Sequence, residues 1–215
     1  MPNLFRLPRA ILCAIPLMLA ACSPLPLLNS LVPSKTYQAT RDIAYGAGPR
    51  RQLDVYVPAG LAPDAKVPVV VFFYGGNWDA GKRGDYLFAG EAFASQGFVA
   101  VVADYRIYPE VKYPAFIEDS AAAFAWTLNN IARFGGDPRQ IYVAGHSAGA
   151  YNAAMLAFDP EYLKAAGVEP RAVKGFIGLA GPYDFLPLHS AELQAIFGGP
   201  DTSPLTQPID RKSVV

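Results

Sequence analysis

Gly145-His146-Ser147-Ala148-Gly149 fits the pattern G-x-S-x-G. The string follows Ile141-Tyr142-Val143-Ala144, which reads as a strand, and precedes Tyr151 to Phe158, which reads as a helix. A serine on a sharp strand-to-helix turn is held with its hydroxyl exposed at the carboxyl end of a sheet, where it can act as a nucleophile. So tight a turn leaves no room for side chains two residues either side of the serine, which accounts for Gly145 and Gly149. Ser147 is therefore the candidate catalytic residue, and an acyl intermediate on its oxygen is the chemistry expected.

The elements that must position this turn are legible as alternating strands and helices. Asp54 to Pro58 is a short β segment closed by proline, and Val67 to Phe73 is a continuous β-branched and aromatic run typical of a strand buried on both faces. Residues 85–96 carry a helical pattern, Phe98 to Ala103 a second buried strand, and Pro114 to Phe134 a long helix stopped by Gly135-Gly136. Residues 148–158 are alanine-rich and helical, and Val173 to Ala180 is a further strand. Strands alternating with helices of this length predict βαβ units and a mostly parallel sheet covered on both faces.

Composition narrows the function classes. The 215 residues suffice for one domain with a full core, 52% are hydrophobic and only 17% charged, which excludes a disordered chain. Eighteen basic residues balance eighteen acidic ones. The basic footprint of a nucleic-acid binder is missing. Two cysteines and two histidines argue against a Cys/His zinc site, and no metal or cofactor is expected.

Residues 1–21 read as a secretory signal, with Arg6 and Arg9 ahead of an apolar run from Ile11 to Ala20 that is too short to span a bilayer. Leu19-Ala20-Ala21-Cys22 looks like a bacterial lipobox, which implies an acylated Cys22 as the first mature residue. Ser23 in the next position implies sorting to the outer membrane, facing the periplasm. Acyl chains, at about 0.8 kcal/mol per buried methylene, would hold such a protein on the cell envelope. Residues 22–40 are expected to be this acylated cysteine and an extended tether with Pro24, Pro26 and Pro33, and residues 41–215 the folded domain.

Residues 50–200 resemble the α/β-hydrolase superfamily, within it the hormone-sensitive-lipase-like and feruloyl-esterase-like carboxylesterases. Besides the elbow, three strings carry the resemblance. Tyr74-Gly75-Gly76-Asn77-Trp78 lies where the family has H-G-G-x-W, Asp104-Tyr105-Arg106-Ile107-Tyr108-Pro109-Glu110 resembles D-Y-R-L-x-P-E, and Gly181-Pro182-Tyr183-Asp184 resembles the turn after the strand following the elbow. Acyl transfer passes through an oxyanion, and losing one backbone donor to it costs about 3–4 kcal/mol. Gly75-Gly76 lets the main chain approach closely, so the N–H groups of Gly76, Asn77 and Ala148 are the expected oxyanion hole. Tyr74 departs from the family's histidine, a change expected to alter loop support rather than mechanism. Asp104, Arg106 and Glu110 are read as bracing the loop after their strand. Trp78, Tyr105 and Tyr108 could line a pocket or belong to the core.

The resemblance also implies an acid and then a histidine base, each after a later strand. His146 adjoins the serine within the elbow, so its ring points away from the hydroxyl, and His189 comes too early and reads as a solvated loop residue. Asp184 is a weak candidate acid that a turn-stabilising role explains as well. Two further strand–helix units of roughly 30 residues each are expected after Ala180. We therefore expect a truncated or frame-shifted version of a protein of about 280–300 residues, diverging near Asp210. The implied function is hydrolysis of small carboxylic esters, weak or absent in these 215 residues. Alternatives are an arylformamidase-like amide hydrolase, a non-catalytic surface lipoprotein, or an inert fragment.

Overall fold

The computed structural model describes residues 25–62 and 64–211. The signal sequence, the lipobox and Cys22 lie outside them, as do the last four residues.

The strands are β1 Tyr37–Ala44, β2 Gln52–Pro58, β3 Val67–Phe73, β4 Val99–Ala103, β5 Gly136–His146 and β6 Val173–Leu179; β2, β3, β4 and β6 form at the expected runs, while β5 begins five residues before Ile141. They make one sheet in the order β1-β2-β4-β3-β5-β6. β1 and β2 are antiparallel to their neighbours, while β4, β3, β5 and β6 run parallel. The central strands are apolar and buried along their length, β4 at every position, because helices cover both faces of the sheet.

The helices are α1 Leu25–Ser30, α2 Leu87–Ala94, α3 Ala115–Asn130, α4 Ala148–Phe158, α5 Pro160–Ala165 and α6 Ala191–Phe197. α2 packs on β2, β3 and β4; α3 and α4 pack on each other and on β3 and β5. Gly90 of α2 lies so close to the Tyr56 ring that an added Cβ would fall 2.6 Å from it. The long helix is shorter than expected: after Asn130 it tightens into a 3₁₀ turn, Ile131–Phe134, which Gly135 ends at φ 81°.

Two expectations at the N-terminal side need correction. Tyr37 to Thr40, assigned to the tether, is the first half of β1, so a domain boundary at 41 cuts through a strand. β1 is an edge strand with most side chains exposed, so backbone pairing holds it and no apolar alternation announces it. Nor is the segment extended from Leu25 onward. It forms α1, which Asn29 ties to the domain by donating to the Gly84 carbonyl at 2.9 Å and accepting from the Phe88 N–H at 3.1 Å.

Candidate active site

β5 ends at His146, α4 begins at Ala148, and Ser147 makes the whole turn between them at φ 53°, ψ −122°. A left-handed φ is rare for a residue with a Cβ and persists only where the surroundings enforce it. Three contacts do so. The Ser147 N–H donates to the Leu179 carbonyl at the end of β6 at 2.8 Å, and its own carbonyl accepts from Ala150 and Tyr151. Strand, neighbouring strand and helix thus fix the serine from three sides. Ala148 opens α4, and N–H groups in a helix's first turn have no partner within the helix. A developing negative charge beside Ser147 would meet that free donor and the positive end of the helix dipole.

The glycine string approaches from β3. A Cβ on Gly75 would fall 2.9 Å from Ser147 Cβ and from the His146 carbonyl, so the loop and the elbow are in contact. Beyond it the chain turns through Gly76 at φ 138°, Asn77 at 48° and Trp78 at 62°. The Gly76 carbonyl accepts from Asp79 and Ala80, which closes the turn. Trp78 cannot relax from its left-handed backbone because its ring is fixed. Its indole N–H donates to Asn152 Oδ1 at 3.0 Å, and Phe116, Tyr151, Phe185 and Phe197 surround it. At 2% exposure Trp78 is core, as is the fully buried Tyr105. Tyr108 is half-buried and donates its N–H to the Trp78 carbonyl at 2.7 Å.

Tyr74 supports the loop from behind. Its ring stacks on Tyr105 at 4.6 Å, and its hydroxyl accepts from Arg50 Nη1 at 3.0 Å. The same nitrogen donates to the Gly81 carbonyl at 3.1 Å, so Arg50 ties the start of the loop to its end. Asp104 accepts from the Arg83 backbone and side chain, and Arg106 makes paired bonds of 2.8 and 2.9 Å to the fully buried Asp119. Both act as braces; Glu110 is exposed.

His146 is turned from the serine. Its Nδ1 lies 2.8 Å from the Tyr86 hydroxyl, which also accepts from the Gly75 N–H at 3.3 Å. Burial raises the pKa of Tyr86, so the phenol stays protonated, and its oxygen and His146 Nδ1 share one hydrogen bond. Tyr86, Asn152 and Arg50 are supporting residues that sequence reading missed, since none belongs to a motif. Tyr86→Phe leaves a buried N–H and a ring nitrogen without partners, for an expected loss of about 1–3 kcal/mol. Urea unfolding measures it, and a change within about 0.5 kcal/mol contradicts the assignment. His189 and Asp184 are exposed in the segment after β6. No group of three or more metal-binding side chains exists among the described residues.

A mostly parallel sheet with a serine on a strained strand-to-helix turn at its carboxyl end defines an α/β-hydrolase. The BD-FAE family model matches residues 53–213, and the chain belongs to that family. It is similar to the probable isoprenylcysteine alpha-carbonyl methylesterase ICMEL1 of Oryza sativa subsp. japonica, 34% identical over 157 residues, which are 70% of this chain and 36% of that protein. It is likewise similar to esterase LipC of Mycobacterium tuberculosis, 35% identical over 156 residues, 70% of this chain and 38% of that protein. Among solved structures, esterase B from Lactobacillus rhamnosis shares the fold at a TM-score of 0.69 and 24% identity, over 88% of this chain and 66% of that one. The chain thus spans little more than a third of the curated relatives it matches. Both of these relatives are named as esterases.

Proposed function

We propose that these residues carry the nucleophile and oxyanion half of a serine carboxylesterase. Ser147 Oγ attacks the carbonyl of a small ester, the alcohol leaves, and water releases the acid from the acyl-enzyme. The N–H groups of Gly76, Asn77 and Ala148 hold the oxyanion, and Gly145 and Gly149 make room for the elbow. The observation that carries this proposal is the contact of the glycine loop with a serine at φ 53°. That the relatives are named esterases favours esters over amides as substrates. No metal or cofactor enters the scheme.

In this scheme no general base with its orienting acid is assigned among the described residues. His146 is engaged by Tyr86, while His189 and Asp184 face solvent after β6. Turnover by the 215-residue chain is therefore expected to be very weak. Hydrolysis of p-nitrophenyl acetate, measured against a Ser147→Ala control, checks this. The oxyanion hole and binding alone leave about 10³–10⁴ over water, so a several-thousandfold excess over that control would refute the missing base. Prolonged exposure to a fluorophosphonate should place the adduct on Ser147, as peptide mass spectrometry reads it. Adduct on another residue, or none, would sink the nucleophile assignment.

We further propose that lipid on Cys22 holds the protein on the cell envelope, at the outer membrane facing the periplasm. The Leu19–Cys22 string supports this. Metabolic labelling with palmitate should mark the wild-type chain, and Cys22→Ser should remove the label. Retained label in the variant contradicts the anchor.

A further inference from the structure

α1 is amphipathic in the inverted sense. Its amide side chain, Asn29, faces the protein and spends its hydrogen bonds on Gly84 and Phe88. Leu25 is partly buried against the core, but the other leucines are open: Leu27 is 64% exposed, Leu28 43%, and Leu31, just past the helix, 72%. The Ser30 hydroxyl is turned back on the Leu27 carbonyl at 2.7 Å. The exposed apolar surface continues onto β6, where Ile177 and Leu179 are also open. Leu28 and Leu179 line one apolar cavity of about 480 Å³ with Phe88, Phe93 and His146. Single exposed leucines need no explanation, but a contiguous apolar surface marks an interaction site.

We propose that the leucine face of α1 is a membrane contact that inserts into a lipid bilayer. Two features select this occupant. Residues 10–34 contain no Asp, Glu, Lys or Arg, so the face offers no charge to match on a protein partner, and inserting it buries no charge. The open leucines also adjoin Leu179 across the cavity that Leu28 and Leu179 both line, so the apolar area extends beyond one helix face. An apolar helix face buried at the headgroup boundary is the geometry of interfacial helices, whose binding strength scales with the apolar area they bury. The contact has a consequence for the site. Asn29 holds the segment around Gly84 and Phe88, between which Tyr86 bonds the Gly75 N–H, so the bilayer would orient the glycine loop through two hydrogen-bonded steps. The proposal depends neither on the esterase chemistry nor on acylation of Cys22.

The test uses the full chain with Cys13→Ser and Cys22→Ser, so that one introduced cysteine carries an environment-sensitive fluorophore. The label is placed at Leu31→Cys, or at Lys164→Cys on α5 as an exposed control. With phosphatidylcholine–phosphatidylglycerol vesicles, the label at 31 should shift to the blue and become protected from iodide, and the label at 164 should not. Leu27→Glu, at an exposed position that leaves thermal unfolding unchanged, should reduce vesicle partitioning about tenfold or more. Three results overturn the proposal. The chain does not bind vesicles; or it binds while position 31 stays fully quenchable; or the shift occurs without lipid and grows with protein concentration, which identifies a second copy as the occupant.

Discussion

Gly149→Ala is expected to destroy the elbow and with it the folded domain, at a loss of about 4 kcal/mol or more. A Cβ there would stand 2.1 Å from the Phe73 carbonyl oxygen and 2.4 Å from that of Tyr74. Both obstacles are backbone of β3 and the glycine loop, so no rotamer change relieves them, and ordinary overpacking losses of about 1–3 kcal/mol understate the effect. Gly145 is in the same position, its Cβ falling 2.3 Å from the carbonyl carbon and oxygen of Gly149. Neither glycine has a positive φ. They are required for close approach of α4 to the strand ends, whereas the strained dihedral itself falls to Ser147. Urea unfolding together with phosphonate labelling checks the prediction. A stable Gly149→Ala chain labelled on Ser147 at the wild-type rate would show that the elbow tolerates a wider turn.

Arg83→Met should lower stability by about 3–5 kcal/mol, the usual result of breaking a buried ion pair from one side. Arg83 is the centre of the network, bonding Asp104 through its backbone N–H at 2.7 Å and through its side chain, Asp54 through Nε at 2.9 Å, and Gln52 and Asp42 besides. Asp54 and Asp104 are almost wholly buried on β2 and just past β4. Without Arg83 the buried Asp104 carboxylate loses both its backbone-braced side-chain partner and its nearest charge, while Asp54 keeps the Asp42 N–H at 2.9 Å and Arg41 at 3.9 Å. The pH dependence follows from Asp104, whose pKa is raised by burial against the lowering bonds from Arg83. A raised folded pKa means that the native state binds the proton more tightly. The contribution of Asp104 is therefore fully present below the ordinary carboxylate pKa and is lost as pH rises through the folded value. Removing Arg83 leaves burial less opposed and widens that window. Urea midpoints of wild type and variant should diverge as pH is raised from mildly acid to neutral. Parallel curves would show that Arg83 does not control the titration.

The local parts of the site were legible because they are local in sequence. The elbow is five consecutive residues between a strand and a helix, and the glycine loop follows directly on Val67–Phe73, so pattern and spacing were enough to place both. The buried strands were equally plain, since strands covered on both faces read as unbroken apolar runs. β1 was not, because an edge strand with exposed side chains is held by backbone bonds that every sequence can make. Nor was α1, whose outward leucines contradict the pattern by which a surface helix is recognised.

The support of the site emerged from the packing of distant elements. Tyr86 reaches Gly75 and His146 across 11 and 60 residues, Asn152 reaches Trp78 across 74, and Arg83 gathers carboxylates from separate strands. Nothing in the immediate neighbourhood of a tyrosine or an asparagine records such a partner, because hydrogen bonds between distant residues are set by how the elements pack. Residue order was enough to specify the serine of the elbow turn, the glycines that make room for it and the class of sheet that carries them. Packing alone established how the loop is braced, that Trp78 belongs to the core, and that His146, already read as turned from the serine, bonds Tyr86.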